Sequence, residues 1–204
     1  MRLFLFTTCF LFLALPVTRA QGQGADTIIA KGKLTINNVQ FDYIKLRRPS
    51  GTDGEDVFEL YAHNKKLLSH TLRDREADCN SESLEFGDVE PSDSSLTFYS
   101  YWAWVGGCCG MPYGARKQVY TVNKLGQLHL SSSAIFLEKY KTTLYGMTGK
   151  EATQFMAGIE KEYHATFVTD SQATDLLNEV KQRFAKQILK ETKGWENNRY
   201  GYRR

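Results

Sequence analysis

SLTFYSYWAWVGGCCGMPYGARKQVYTVN, at residues 95–123, is the segment that decides the fold. Apolar and aromatic side chains alternate with others along residues 96–104, and a second run of this kind follows at residues 117–122. A period of two predicts strands, because successive side chains of a strand point to opposite faces of the sheet. We therefore predict a β-hairpin whose strands are joined by a glycine-rich loop around residues 105–116.

The two faces of the first predicted strand differ in composition. Leu96, Phe98 and Trp102 stand on one face, which has the pattern of a core. Tyr99 and Tyr101 stand on the other face, where each ring is apolar and each hydroxyl is polar. Such a face is typical of a surface that binds a partner or is covered by another element of the same chain.

The segments on either side of this hairpin predict the fold class. Upstream, alternating runs are separated by turn-forming residues such as Asn37 and Asn38, which predicts further hairpins. Downstream, the apolar period changes from two to about 3.6. Thr148 and Glu151 have the spacing of a helix capping box, and a second amphipathic stripe ends at Gly194. The sequence therefore predicts an α+β fold, with a mostly antiparallel sheet, sandwich-like or half-barrel-like, followed by two C-terminal α-helices.

The N-terminus has the pattern of a secretory signal peptide at residues 1–20. Arg2 precedes an apolar run at residues 3–17, and small residues stand at the −3 and −1 positions of a cleavage site after Ala20. The run is shorter than the roughly 20 apolar residues that a spanning helix needs. We therefore expect an exported protein, periplasmic or secreted, without a transmembrane anchor.

Cleavage would leave one domain at residues 21–194 and a basic, aromatic C-terminal tail at residues 195–204. Removal of Arg2 and Arg19 lowers the formal charge from +3 to +1. A nearly neutral chain gives no reason to expect nucleic acid as a partner.

Cys79, Cys108 and Cys109 are the cysteines that would remain after cleavage. An oxidising compartment favours one disulfide. Neighbouring cysteines seldom bridge each other, so Cys79 is expected to pair with Cys108 or Cys109, and the choice between them stays open. The third thiol would be buried, join two chains or react. A thiol-dependent or metal-binding redox protein is therefore one alternative function.

The loop around residues 105–116 is the predicted binding surface. The sequence contains no nucleophile elbow, zinc-protease motif or phosphate-binding loop, which favours a binding protein over an enzyme and predicts no cofactor and no bound metal. Tyrosine and arginine are frequent energetic anchors of protein interfaces. Another protein is the favoured partner, ahead of a small ligand, and a structural envelope protein is a further alternative. The predicted site residues are Tyr99, Tyr101, Met111, Tyr113 and Arg116.

The central hairpin resembles a group of exported, β-rich proteins of Bacteroidetes-type bacteria, most of them uncharacterised. The resemblance is carried by FYSYW at residues 98–102 and PYGARKQ at residues 112–118. It implies export and a β-rich fold, and it implies no activity. The chain is also similar in architecture to periplasmic lysozyme inhibitors. That similarity implies a loop inserted into an enzyme cleft, with Tyr113 and Arg116 against the catalytic carboxylates.

Overall fold

A computed structural model describes residues 25–49, 54–74, 77–78, 81–105, 113–169 and 171–201. The predicted α+β class is confirmed: two sheets, mostly antiparallel, are followed by the C-terminal helices. The predicted signal peptide lies outside the described residues.

The first sheet has four antiparallel strands in chain order. Asn37 and Asn38 form the turn of its first hairpin, and His63 and Asn64 form the turn of its second. All four residues have φ between 49° and 64°, and two-residue turns of this left-handed kind match the twist of the strands they join. The strands are β1 (Thr27–Ile36), β2 (Val39–Arg48), β3 (Glu55–Ala62) and β4 (Lys65–Asp74).

The second sheet has six strands in the order β10-β9-β8-β7-β6-β5. Adjacent strands of this sheet are antiparallel, except that β10 pairs with β9 in parallel. The predicted central hairpin is its β7–β8 pair. The predicted loop at residues 105–116 is shorter than expected, because β7 ends at Val105 and β8 already begins at Gly114, so that Arg116 lies in the strand. The strands are β5 (Ala77–Asp78), β6 (Ser81–Pro91), β7 (Ser95–Val105), β8 (Gly114–Val122), β9 (Leu128–Leu137) and β10 (Thr166–Phe167).

Within the described ranges the chain also forms three helices: α1 (Glu138–Tyr145), α2 (Gly149–Tyr163) and α3 (Ser171–Gly201). The predicted capping box is present, because Thr148 accepts from the Glu151 amide and the Glu151 carboxylate accepts from the Thr148 amide. Helix α1 and strand β10 were not predicted, since both are too short to show a clear period. Among the described residues, no helix is both long enough and apolar enough to cross a membrane.

The predicted end of the last helix at Gly194 was wrong. Helix α3 continues to Gly201, so that much of the predicted tail at residues 195–204 is helical. Glycine costs a helix interior about 1 kcal/mol, yet it keeps the backbone N–H that the helix needs. A single glycine therefore weakens this helix without ending it.

The six-stranded sheet is the middle layer of the molecule. One of its faces packs on α3, through Tyr101 and Phe136 on the sheet and Val180 and Phe184 on the helix. The opposite face is covered in two parts. At one end the four-stranded sheet covers it, and at the other end helices α1 and α2 cover it. Strand β10 belongs to the sheet itself and contributes Phe167 to the packing at the second end.

The two sheets meet at backbone distance where β6 passes β4. A Cβ atom on Gly87 would lie 1.8 Å from the carbonyl oxygen of Leu72. No larger residue fits there without a shift of one strand, because the atom in the way is backbone rather than a side chain that can rotate. Gly87 therefore permits the close approach of the two sheets at this point.

Candidate functional site

Tyr99 and Tyr101 lie beneath helix α3. Their exposed fractions are 8% and 5%, and burial raises the pKa of both hydroxyls. The guanidinium of Arg183 lies 4.5 Å from the centre of the Tyr99 ring. This aromatic face is thus covered by an element of the same chain, which is one of the two outcomes that the sequence left open. A binding surface that includes the two tyrosines is closed in this fold.

Arg183 also fixes α3 to the edge of the sheet. Its Nη2 donates to a carboxylate oxygen of Asp88 at 2.8 Å, and its Nη1 donates to Glu90 at 2.5 Å. Both acceptors lie on β6, 95 and 93 residues earlier in the sequence, so the pairs are tertiary contacts that sequence periodicity does not reveal. They hold the helix over the two tyrosines.

Tyr113 is the most exposed of the predicted site residues that the structure describes. It stands where the loop enters β8, with 36% of its area exposed. The ammonium of Lys181 lies 4.7 Å from the centre of its ring, and its carbonyl oxygen accepts from the Glu138 amide at 2.9 Å. The ring therefore lies against α3 and the backbone is bonded to the start of α1, while part of the ring faces solvent.

Arg116 points to the opposite side of the sheet. Its guanidinium donates to Ser100 Oγ at 3.3 Å and lies 5.5 Å from the centre of the Trp102 ring. The predicted five-residue surface is therefore not continuous in this fold. Tyr99, Tyr101 and Tyr113 lie on the α3 side, Arg116 lies on the other side, and Met111 lies outside the described residues.

A row of polar side chains crosses this second face between its two apolar coverings. We call Ser100, Arg116, Gln118 and Ser133 the polar band; the strand register places Ser100 beside Arg116 and Gln118 beside Ser133. Ser100 is 1% exposed and Gln118 is 3% exposed. The sequence signal for the band was a serine at position 100, within a row of apolar side chains.

His70 reaches the same region from β4 of the other sheet. Its ring lies 4.1 Å from that of Phe98, and within the part of the chain that the structure describes its Nε2 has no hydrogen-bond partner. Burial and the positive charge of Arg116 lower the pKa of His70 to about 3. The histidine is therefore neutral at physiological pH. Sequence reasoning did not place it in the site.

Gln118 and Ser133 carry two further buried polar atoms. The amide nitrogen of Gln118 donates to the carbonyl oxygen of His164 at 3.4 Å. Gln118 Oε1 and Ser133 Oγ are buried and have no hydrogen-bond partner among the described residues. Buried polar atoms are nearly always paired, so these two oxygens are exceptions among the described residues.

A second buried polar group, at Glu59 on β3, is fully compensated. Its carboxylate is 4% exposed and accepts from Tyr61, from Lys66 at 2.9 Å and from Arg48 at 3.4 Å. Burial opposes ionisation of this carboxylate, but the three donors outweigh it and hold its pKa below the usual value. A carboxylate held in this way stabilises the sheet and is poorly suited to proton transfer.

The predicted disulfide is not tested by the structure, since Cys79, Cys108 and Cys109 lie outside the described residues. Within the described ranges, no group of three or more histidine, aspartate, glutamate or cysteine side chains is placed to hold a metal ion. Comparison with family models, with curated proteins and with solved structures gave no match.

Proposed function

We propose that this chain is an exported binding protein that engages another protein at the end of the six-stranded sheet, where the segment between Val105 and Gly114 joins β7 to β8. The signal-peptide pattern at residues 1–20 supports export. The observation that carries the binding proposal is the partly exposed ring of Tyr113, which lies against Lys181 at the base of the loop.

The surroundings of Tyr113 suit an interface anchor. Tyrosine offers a large contact area and loses little conformational entropy on binding. Here the ring contacts Lys181, and the backbone of Tyr113 is fixed by its bond to Glu138. A contact residue that is ordered before binding lowers the entropic cost of association. The loop base can therefore contribute affinity even where only part of the ring is exposed.

Site-specific photocrosslinking in the mature, exported protein tests this proposal. Benzoylphenylalanine would replace Tyr113 in one sample and Tyr145 in a matched control. Tyr145 is 95% exposed and lies at the end of α1. We expect a discrete crosslinked protein in periplasmic or culture fractions with the probe at position 113, and none with the probe at position 145.

Competition with unlabelled protein then distinguishes a specific contact from nonspecific adsorption. An excess of wild-type protein should suppress the crosslink at position 113, whereas an excess of the Tyr113→Ala variant should suppress it much less. Equal competition by the two proteins, or the same crosslinked product from position 145, would show that the loop base is not the binding surface.

A further inference from the structure

A cavity of about 210 Å³ lies where the first sheet meets β6 and α3. Its lining combines the buried apolar residues Val57, Leu72 and Phe86 with polar residues, among them Lys45 and Gln187. These residues lie outside the segment that joins β7 to β8, and the proposed protein interface does not use them. The cavity is therefore a separate candidate site.

The buried part of the lining is apolar. Val57 on β3, Leu72 on β4 and Phe86 on β6 all belong to the buried hydrophobic residues of the protein. Ile29 on β1, which is 51% exposed, adds an apolar side chain nearer to solvent. Water finds few hydrogen-bond partners at such a lining, whereas an apolar group gains free energy when it is buried there. The cavity therefore favours a ligand with an apolar part.

Lys45 stands on the face of the first sheet that packs against the second sheet. Successive side chains of a strand point to opposite faces, so Lys45 shares its face with Phe41 and Tyr43 of the same strand. Both of these residues pack in the core between the sheets, as does Phe58, the neighbour of Lys45 on β3. Lysine is seldom found on a core-facing row unless its charge is paired.

Lys45 provides the uncompensated charge of this lining. Asp56 is the other charged lining residue, and the guanidinium of Arg47 donates to both of its carboxylate oxygens, at 2.7 Å and 3.0 Å. Among the residues that the structure describes, no carboxylate forms an ion pair with Lys45. The cavity therefore offers a ligand one positive charge beside an apolar surface.

We propose that this cavity binds a small carboxylate with a short apolar tail. The Lys45 ammonium and the Gln187 side-chain amide supply N–H donors for the two carboxylate oxygens, and the tail contacts the apolar lining. A neutral ligand would leave Lys45 unpaired, and a fully polar anion would leave the apolar lining without contacts. The cavity is smaller than the roughly 300–1,000 Å³ of sites for drug-sized ligands, which favours a short tail.

Titration of the isotopically labelled mature protein with hexanoate at pH 7, followed by NMR, tests the proposal. We expect saturable shifts of the backbone amides of Val57, Leu72 and Gly87, which line the cavity. Acetate keeps the head group and lacks the tail, so it should bind at least about tenfold more weakly. Hexanol keeps the tail and lacks the charge, and it should also bind more weakly than hexanoate.

Two lysine variants separate the cavity from general attraction of anions. Lys45→Gln removes the charge of the cavity and should weaken hexanoate binding about tenfold or more, because a charge-assisted hydrogen bond is lost. Lys31→Gln removes the same charge from the neighbouring strand β1, at an exposed residue outside the lining, and should leave hexanoate binding unchanged.

Three results would overturn the proposal. Equal shifts with hexanoate and acetate would show that the protein senses negative charge without the tail. Equal hexanoate binding by the Lys45→Gln and Lys31→Gln variants would show that Lys45 does not hold the carboxylate. The lack of a saturable shift at Val57, Leu72 and Gly87 would show that hexanoate does not enter the cavity.

Discussion

The two faces of the β7–β8 hairpin show the same alternation of side chains but have different surroundings. On the α3 face, Tyr99 and Tyr101 are sealed by apolar side chains and by the Arg183 ion pairs. On the opposite face, the polar band lies between two apolar coverings, and His70 Nε2 and Gln118 Oε1 have no partner among the described residues. The packing of the aromatic face thus stabilises the fold, whereas buried polar atoms without a partner among the described residues lie on the other face.

Removal of a large buried side chain from the α3 face should give the largest loss of stability. Phe184 is 2% exposed and its ring stacks on Phe86 with 5.9 Å between centroids. Phe184→Ala should lower the free energy of unfolding by about 3–5 kcal/mol, because it removes a buried aromatic side chain and leaves a cavity. Urea denaturation followed by circular dichroism measures this change.

A variant on the outside of the same helix provides the control. Leu189 is 54% exposed, and Leu189→Ala should change the free energy of unfolding by no more than about 0.5 kcal/mol. Equal losses in the two variants would mean that α3 does not seal the sheet as described.

The role of α3 shows how far the sequence could predict the fold. The period of two placed Tyr99 and Tyr101 on one face of a strand, and the period of 3.6 predicted the apolar stripe of α3. These periods do not predict which element packs on which face of the sheet. Tertiary packing depends on contacts between residues distant in sequence, such as Arg183 and Asp88. The sequence therefore left open whether the tyrosines bind a partner or are covered.

The candidate site was only partly predictable for a related reason. Tyr113 and Arg116 are close in sequence and were predicted to share a surface. They are an odd number of residues apart at the start of an extended strand, and the structure places them on opposite sides of the sheet. His70 reaches the polar band from the other sheet, and no local pattern indicates such a contact.

A side chain added at position 87 should force the two sheets apart on the polar-band side. Gly87 pairs with Ser100 of the polar band, and an added Cβ would meet the Leu72 backbone at 1.8 Å. Gly87→Ala should therefore cost about 3 kcal/mol of unfolding free energy, at the upper end of the range for overpacking. Urea denaturation with circular dichroism measures this cost.

Gly158→Ala is the matched control for this substitution. A Cβ at position 158, within α2, would have no heavy atom within 4 Å. The change should stabilise the protein by about 0.5–1 kcal/mol, since alanine is the better helix former. A neutral Gly87→Ala variant would show that the sheets can separate at this point at little cost.

His70, on the polar-band side, should make the free energy of unfolding depend on pH. The pKa of His70 is lowered from 6.5 to about 3 by burial and by Arg116, so the folded protein holds the neutral form while the unfolded chain is protonated below pH 6.5. Its contribution to stability is therefore complete above pH 6.5 and is lost as the pH falls toward 3. At pH 5 the loss should be about 2 kcal/mol relative to pH 7.

Replacement of the histidine isolates this effect from other titrating groups. His70→Gln should remove the loss between pH 7 and pH 5, whereas His63→Gln, in the exposed turn of the β3–β4 hairpin, should keep it. Urea denaturation of the three proteins at both pH values gives the comparison. If His70→Gln and the wild type lose the same stability, the buried imidazole does not make the polar-band side acid-sensitive. If only His70→Gln is insensitive, the sensitivity belongs to the face that carries the polar band, and the tyrosine face beneath α3 takes no part in it.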